Sequence, residues 1–440
     1  MISNRRIRIL AELGTLVAVV LLLGPLPTNA STNDPLLGRQ WGLSQIHAEE
    51  AWATSKGAGI KIAVIDSGVD MQHPDLAGKV IPGPDYVNND ADPQDDHNHG
   101  THVSGIAAAT MGNGEGIAGV APDSKILAIK VLGADGSGSG QDVAEAIKYA
   151  ADQKAEVINL SLGNRLDFLL HDATIDKVID YAYKQGVVVV VAAGNSGVPF
   201  TDPATANITL VVGATNKSDE KASYSQSGAG VRIYAPGGQG VGICDQDPDI
   251  WSSVRRGKGG CGQSNYSQFR GTSMATPHVA GVAALVRAAN ASLTAKQVMD
   301  LLLSTADTVG VLGLKRVNAA KAVAAAKSAG GGGGSGTGGS SGGGPTGGGS
   351  TGGGSLGGTG SGAAKGTTAA APKATTGAAT SAEPVPGQAL PTAGDSKGDR
   401  SGGEHKPRGN ALGVLIAVVM AAGIIGVFAW SKWKATRSLE

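Results

Sequence analysis

From about Asp34 to Lys327, short Val/Ile/Leu runs alternate with alanine-rich amphipathic stretches, and this alternation limits the possible folds more than any other feature. Val187–Val191 is five valines in succession, and Ile62–Ile65 is an apolar run that stops abruptly at Asp66 and Gly68. β-Branched side chains are stiff at χ1 and favour strands. A run apolar at every position suits a strand covered on both faces. Between such runs, Gln141 to Gln153, Phe168 to Gln185 and Thr294 to Ala306 read as amphipathic helices. The expected fold class is therefore α/β, a doubly wound parallel sheet with helices on both faces. A segment of about 300 residues is ample for one large core.

Three short segments carry chemistry. Asp66 stands where the run Ile62–Ile65 ends, and in open α/β sheets functional groups gather at the carboxyl ends of strands. His97, His99 and His102 open a small-residue segment, His-Asn-His-Gly-Thr-His-Val-Ser-Gly. Their spacing also suits a metal, although no cysteine or acidic pattern completes a closed zinc site. Ser273 lies between small residues at the head of an Ala/Val-rich segment, Gly-Thr-Ser-Met-Ala-Thr-Pro-His. A helix start there would favour negative charge developing at its hydroxyl. Taken singly, a Gly-X-Ser triplet is as well read as a turn or a helix cap.

Asp-Ser-Gly, His-Gly-Thr-His-Val-Ser-Gly and Gly-Thr-Ser-Met-Ala-Thr-Pro-His, in that order, resemble the three signatures of the subtilisin-like serine proteases. The resemblance implies a triad of Asp66, His99 and Ser273, with His102 a structural neighbour and His97 a loop residue. It also implies that Asn195, after the valine strand in Ala-Ala-Gly-Asn-Ser-Gly, donates to the oxyanion. Two glycine-bearing segments match the family's substrate-binding edges: Gly136-Ser137-Gly138 after the strand Ile126 to Leu132, and Ser161-Leu162-Gly163 after Val157–Leu160. Extended peptide would add to them as a strand.

The start of the domain and Arg316-Val317-Asn318-Ala319 near its end are similar to the thermitase branch of that family. There, residues in the places of Asp34, Asp75 and Asn113 join backbone carbonyls around a structural Ca²⁺ ion, and all-oxygen donors are what a hard cation requires.

Charge balances, with 36 basic and 36 acidic residues, and no basic block marks the globular part, so nucleic acid is not an expected partner. Polypeptide substrates are, with a monomeric catalytic domain. Cys244 and Cys261 bracket a polar segment, and in an exported chain a disulfide is the first reading, a buried free pair the alternative.

Residues 1–30 have the regions of a signal peptide: Arg5, Arg6 and Arg8, an apolar core from Leu13 to Leu23, and a small-residue site ending at Ala30. The general secretory route fits better than the twin-arginine one. Cleavage there leaves no room for a folded propeptide before the domain at 31–328. Residues 329–410 read as a disordered Gly/Ser/Thr/Ala/Pro-rich linker, about 50 Å across as a flexible coil. Ala411 to Trp430 carries no charge over a membrane-spanning length, and Lys432, Lys434 and Arg437 in the tail at 431–440 indicate a cytoplasmic C-terminus. Leu390-Pro391-Thr392-Ala393-Gly394 departs from a sortase signal at Ala393.

The expectation is a single-pass protein of the cell membrane whose extracytoplasmic domain is a serine endopeptidase. Within that class a mycosin-like processing protease of a secretion system is the alternative. Outside it stands a non-catalytic surface binding protein on a subtilase scaffold.

Overall fold

A computed structural model describes residues 33–162, 172–199, 205–239, 244 and 248–330. Gly163, the signal peptide, the linker beyond residue 330, the segment Ala411 to Trp430 and the basic tail lie outside the described residues. Among the described residues, no helix is long and apolar enough to cross a membrane.

The chain forms α1 (Trp41–Gln45), α2 (Ala48–Ala51), β1 (Lys61–Asp66), β2 (Val80–Asp85), α3 (His99–Ala108), β3 (Lys125–Lys130) and α4 (Gly140–Asp152). It continues through β4 (Val157–Leu160), α5 (Ala173–Lys184), β5 (Val188–Ala192), β6 (Thr209–Thr215), β7 (Ile233–Pro236), β8 (Ile250–Ser253) and β9 (Tyr266–Phe269). The last elements are α6 (Thr272–Ala289), α7 (Ala295–Ser304), β10 (Asp307–Val309), β11 (Leu314–Arg316) and α8 (Ala319–Gly330).

Nine strands form one sheet in the order β10-β11-β7-β6-β5-β4-β1-β3-β2. Neighbours in it run parallel except the short β10–β11 pair at one edge. Strand period 2 divides the valine run between two cores. Val188 and Val190 join Ile62 and Val64 on the face covered by α3, α6, α7 and α8. Val189 and Val191 join Ala63 and Ile65 on the face covered by α4 and α5. A strand covered on both sides has no solvent face, hence the unbroken apolar runs.

α6 is buried from Thr272 through Arg287, so its small and apolar residues occur on every side. By contrast, α4, α5 and α7 are amphipathic and begin at side-chain caps, Ser139, Asp172 and Thr294 respectively. Asp172 caps α5 from outside, so the helix begins at Ala173, and the part of the expected helix from Phe168 to His171 lies outside the described residues.

From β1 the chain builds outward to β2 and β3, then crosses to β4 on the other side of β1. That reversal opens a crevice beyond the carboxyl ends of β1 and β4, the usual place for chemistry in an open α/β sheet. Asp66 ends β1 and Ser161 follows β4, so the sheet alone brings two of the singled-out segments together. A separate antiparallel ribbon, β8–β9, lies against α3. Cys244 and Cys261 form a disulfide that closes the segment containing β8.

Candidate active site

Asp66 is fully buried. Its Oδ1 accepts from the Ser67 amide at 2.7 Å and faces His99 Nδ1 at 2.8 Å. A buried carboxylate needs such donors to remain charged. His99 begins α3, and the next residue must be small: a Cβ on Gly100 would lie 2.0 Å from the Gly68 carbonyl oxygen. The turn before the helix is organised by Asp95. This carboxylate accepts from Ser67 Oγ and from the amides of His97, Asn98 and Thr101. Burial pulls the His99 pKa down, but the charge of Asp66, its hydrogen bond and the charge of Asp95 outweigh this and hold the imidazole above its ordinary value.

Ser273 occupies the first turn of α6, where backbone N–H groups have no acceptor within the helix. Pro277 lies four residues on and has no N–H, so the Ser273 carbonyl lacks its usual helical donor. Ser161 replaces it, its hydroxyl donating to that carbonyl at 3.0 Å. In return the Ser273 hydroxyl donates to the Ser161 carbonyl at 3.1 Å. Asn159 in β4 donates to Ser161 Oγ at 2.9 Å and fixes its direction. The reciprocal pair ties the end of β4 to the start of α6.

Asn195 follows β5. Its Oδ1 accepts from the Thr272 amide at 2.9 Å and the Thr272 hydroxyl at 3.0 Å. An amide N–H can only donate, so the oxygen end must face Thr272 and Nδ2 is the donor end of the side chain. Thr272 also receives the Gly194 amide at 3.0 Å, which locks the strand end to the helix. Aspartate, histidine, serine and asparagine thus come from β1, α3, α6 and the β5 loop to one end of the sheet.

Residues 57–320 match the model of the subtilase family, peptidase S8. The chain belongs to the subtilase family. It is 43% identical over 297 residues to thermitase of Thermoactinomyces vulgaris, covering 66% of this chain and 98% of that protein. It is 47% identical over 251 residues to a thermophilic serine proteinase of Bacillus sp. (strain AK1), of whose length it spans 57%, as it does of its own. A protease from Pseudoalteromonas arctica superposes with a TM-score of 0.60 at 30% identity, covering 68% of this chain and all of that one. Within the family the chain is a subtilisin-like serine endopeptidase of the thermitase branch.

Three other histidines of this subtilase, His97, His102 and His278, have structural surroundings. His102 is stacked on Phe269, ring centroids 4.3 Å apart, and its Nε2 faces the carbonyls of Ile250 and Ser267. Burial and the neighbouring His99 push it down to about 3, so it stays neutral. His278 in α6 faces the Met274 carbonyl, and burial pushes it to about 4. His97 meets His99 edge-on at 6.2 Å and lies beside Gly136. With His99 turned to Asp66 and His102 to the ribbon, the cluster does not converge as a zinc site.

Gly136, Ser137 and Gly138 form a partly exposed turn closed by Gly133 N–H to the Ser137 carbonyl at 2.8 Å. Ser161 and Leu162 are buried beside Ser273.

The expected calcium residues come together. Both oxygens of Asp34 accept from the Gly112 amide, at 2.8 and 2.9 Å. Asp75 accepts from Asn113 Nδ2 at 2.9 Å and from the Ile117 amide at 3.0 Å. Asp75 is fully buried, and burial holds its carboxyl above the usual range. Burial and the charges of Asp75, Glu115 and Asp34 push the Tyr266 hydroxyl up, which marks a concentration of negative charge around this loop. Among the described residues no group of three or more His, Cys, Asp or Glu side chains is arranged for a metal; two carboxylates and an amide make the set here. The two buried carboxylates and the negative charge concentrated around them fit a hard cation, whereas Asn113, expected to offer its oxygen, turns its amide nitrogen to Asp75 while its oxygen accepts from Glu115 N–H.

The sequence alone did not single out Asp95, Thr272 or Asn159. Asp95 lies in an Asp-rich stretch that reads as solvated loop, and the other two act only across the fold. The Ser161–Ser273 pair yields a test. Replacing Ser161 by alanine leaves the Ser273 carbonyl without that donor and should lower unfolding stability by about 1–3 kcal/mol. Chemical denaturation of Ser161→Ala measures this; wild-type stability would show that the pair does not support α6.

Proposed function

We propose that this protein is a membrane-tethered, extracytoplasmic endopeptidase acting through Asp66, His99 and Ser273, with Asn195 in the oxyanion hole. The observation that carries the reading is the His99 Nδ1–Asp66 Oδ1 bond of 2.8 Å at the crevice where Ser273 heads α6. Asp66 holds the Nδ1–H tautomer and leaves Nε2 as the base. On attack, the Ser273 proton passes to His99 rather than to the Ser161 carbonyl, and Oγ bonds the peptide carbon. Asn195 Nδ2 and the Ser273 N–H donate to the oxygen as it becomes negative. His99 then returns the proton to the leaving amine, and water, deprotonated by the same base, hydrolyses the acyl-enzyme. The segments at Gly136–Gly138 and Ser161–Gly163 would hold the extended substrate on either side.

Ser273→Ala should abolish peptide hydrolysis and labelling by a serine-directed fluorophosphonate while the fold survives. Asn195→Ala should cost about 3 kcal/mol in transition-state stabilisation, a loss of 10²–10³ in turnover. The base must be neutral and its pKa is raised, so activity should climb with pH through a midpoint above about 6.5. Near wild-type turnover in either variant on purified protein refutes the assigned roles.

Asp34, Asp75 and Asn113 would hold a structural Ca²⁺. A cation there favours the charged form of Asp75, whose burial otherwise disfavours it. Because it binds only the folded chain, its removal should lower the melting temperature. A chelator that leaves melting unchanged, with metal analysis finding no calcium, overturns this.

The topology rests on sequence pattern: the signal peptide exports the domain, Ala411 to Trp430 stops transfer, and Lys432, Lys434 and Arg437 stay inside. Protease added to intact cells or spheroplasts should cut the Gly-rich linker and release active enzyme, while a tag after Glu440 remains protected. Digestion of that tag across a sealed membrane would show the anchor to be wrong.

A further inference from the structure

The β8–β9 ribbon is joined to the first turn of α3, the helix that carries His99. Ser252 Oγ donates to the His102 carbonyl at 2.7 Å and Ser253 Oγ to the Thr101 carbonyl at 3.0 Å. This contact needs Gly105, because a Cβ there would lie 2.2 Å from Ser253 Oγ and 2.4 Å from Ser252 Oγ. Past β8 the chain turns back through Arg255 and Arg256. Arg256 pairs with the buried Asp70, Nε to Oδ2 at 3.0 Å, and its amide donates to the same carboxylate at 2.9 Å. Farther along, Cys261 is bonded to Cys244, so this loop is closed covalently as well as by the ribbon.

Arg255 reaches the residue immediately before His99. Its Nε donates to Asn98 Oδ1 at 2.8 Å, across 157 residues of sequence. Asn98 is the N-cap of α3 and has φ 94° and ψ −20°. Asparagine tolerates the left-handed region, but that φ lies beyond the usual left-handed well of about +50 to +70°. Such a conformation persists only where surrounding bonds over-determine it. The Asn98 amide is held by Asp95 and its carbonyl accepts from His102 N, both within the same segment. Arg255 is the distant tie, and it holds the side chain.

We infer that Arg255 is a positioning residue for the base: by fixing Asn98 in its left-handed conformation it sets the direction in which His99 leaves the helix start toward Asp66. This rests on the reading of His99 as general base. Arg255 touches neither Asp66 nor Ser273 in its assigned bond, so its effect must pass through the backbone at Asn98 and His99. A planar guanidinium with a fixed N–H suits this task, being always charged and pre-organised. Asp66, Asp95 and His102 are the ionisable groups acting electrostatically on the imidazole, with His97 edge-on to it, and none is altered by changing Arg255.

The test compares full-length protein in detergent as wild type, Arg255→Ala, Arg255→Lys, Asn98→Gly, the Arg255→Ala/Asn98→Gly double variant and Ser273→Ala, assayed on one peptide substrate well below every melting temperature. Arg255→Ala should lower kcat about tenfold with KM within about twofold of wild type, as expected for a slightly misplaced base. Its acid-limb midpoint should fall toward the ordinary imidazole value as the His99–Asp66 bond loosens. Arg255→Lys, which keeps a donor, should recover most of the loss. Glycine adopts the left-handed conformation unaided, so Arg255→Ala should have almost no further effect in the Asn98→Gly background. A purely structural role would lower the melting temperature and leave kcat and the midpoint unmoved, and that result overturns the inference. An undiminished Arg255→Ala effect in the Asn98→Gly background overturns the route through Asn98. Activity in Ser273→Ala instead defeats the catalytic reading itself, whatever Arg255 does.

Discussion

A charged carboxylate is stable inside a protein only when donors are built around it, and Asp66 imposes that requirement on everything near the crevice. Its Oδ1 is served by the Ser67 amide and by His99, so the turn after β1 and the start of α3 must meet at one place. Asp95 then holds both partners, accepting from Ser67 Oγ and from the amides that open α3. Lys130 closes the layer from β3, its fully buried ammonium bound by the Ser67 and Leu132 carbonyls and by Asp96. Each of these groups would be costly to bury alone. Together they fix one imidazole in one orientation.

The serine side is built by a different device. A helix interior normally leaves no carbonyl available, and Pro277 creates the exception by removing one N–H. The Ser273 carbonyl turns to Ser161, and through it the first turn of α6 is registered against β4. Thr272 does the same toward β5 through Asn195 and Gly194. α6 is thus indexed to two adjacent strands by polar contacts, while its buried length fixes it in the core.

The strands were legible because burial on both faces leaves a simple mark: Val157–Leu160 appears where expected, the Val187–Val191 run is met by β5 one residue later at Val188–Ala192, β1 begins one residue before Ile62, and β3 ends at Lys130, two residues short of Leu132. Helices with a polar side were also legible, their ends displaced by caps such as Thr294, which precedes its helix rather than beginning it. Motif residues announced the chemistry but not its supports. Nothing in the local pattern distinguishes Asp95, which organises a turn, from Asp90 or Asp92 nearby, which are exposed. The Arg255–Asn98 bond depends on a ribbon folding back across 157 residues, a relation that no window of sequence contains. Asn113 was read as a ligand through its oxygen, whereas here its amide nitrogen meets Asp75 and its oxygen accepts from Glu115 N–H. Ser161, expected from sequence only as part of a substrate edge, props α6 in the structure, a role invisible without the proline's missing hydrogen bond.

An endopeptidase is exposed to its own activity whenever copies meet, and accessible loops are where such cuts fall. Arg256, Gly257 and Lys258 are exposed at the turn of the ribbon, between Cys244 and Cys261. A single autolytic cut there would not free either end. The disulfide keeps both fragments in one covalent molecule, and the β8–β9 pairing with the serine contacts to α3 holds them in register. Nicked and intact enzyme would then differ under reducing electrophoresis more than in solution, and damage would accumulate without release of the segment that borders α3.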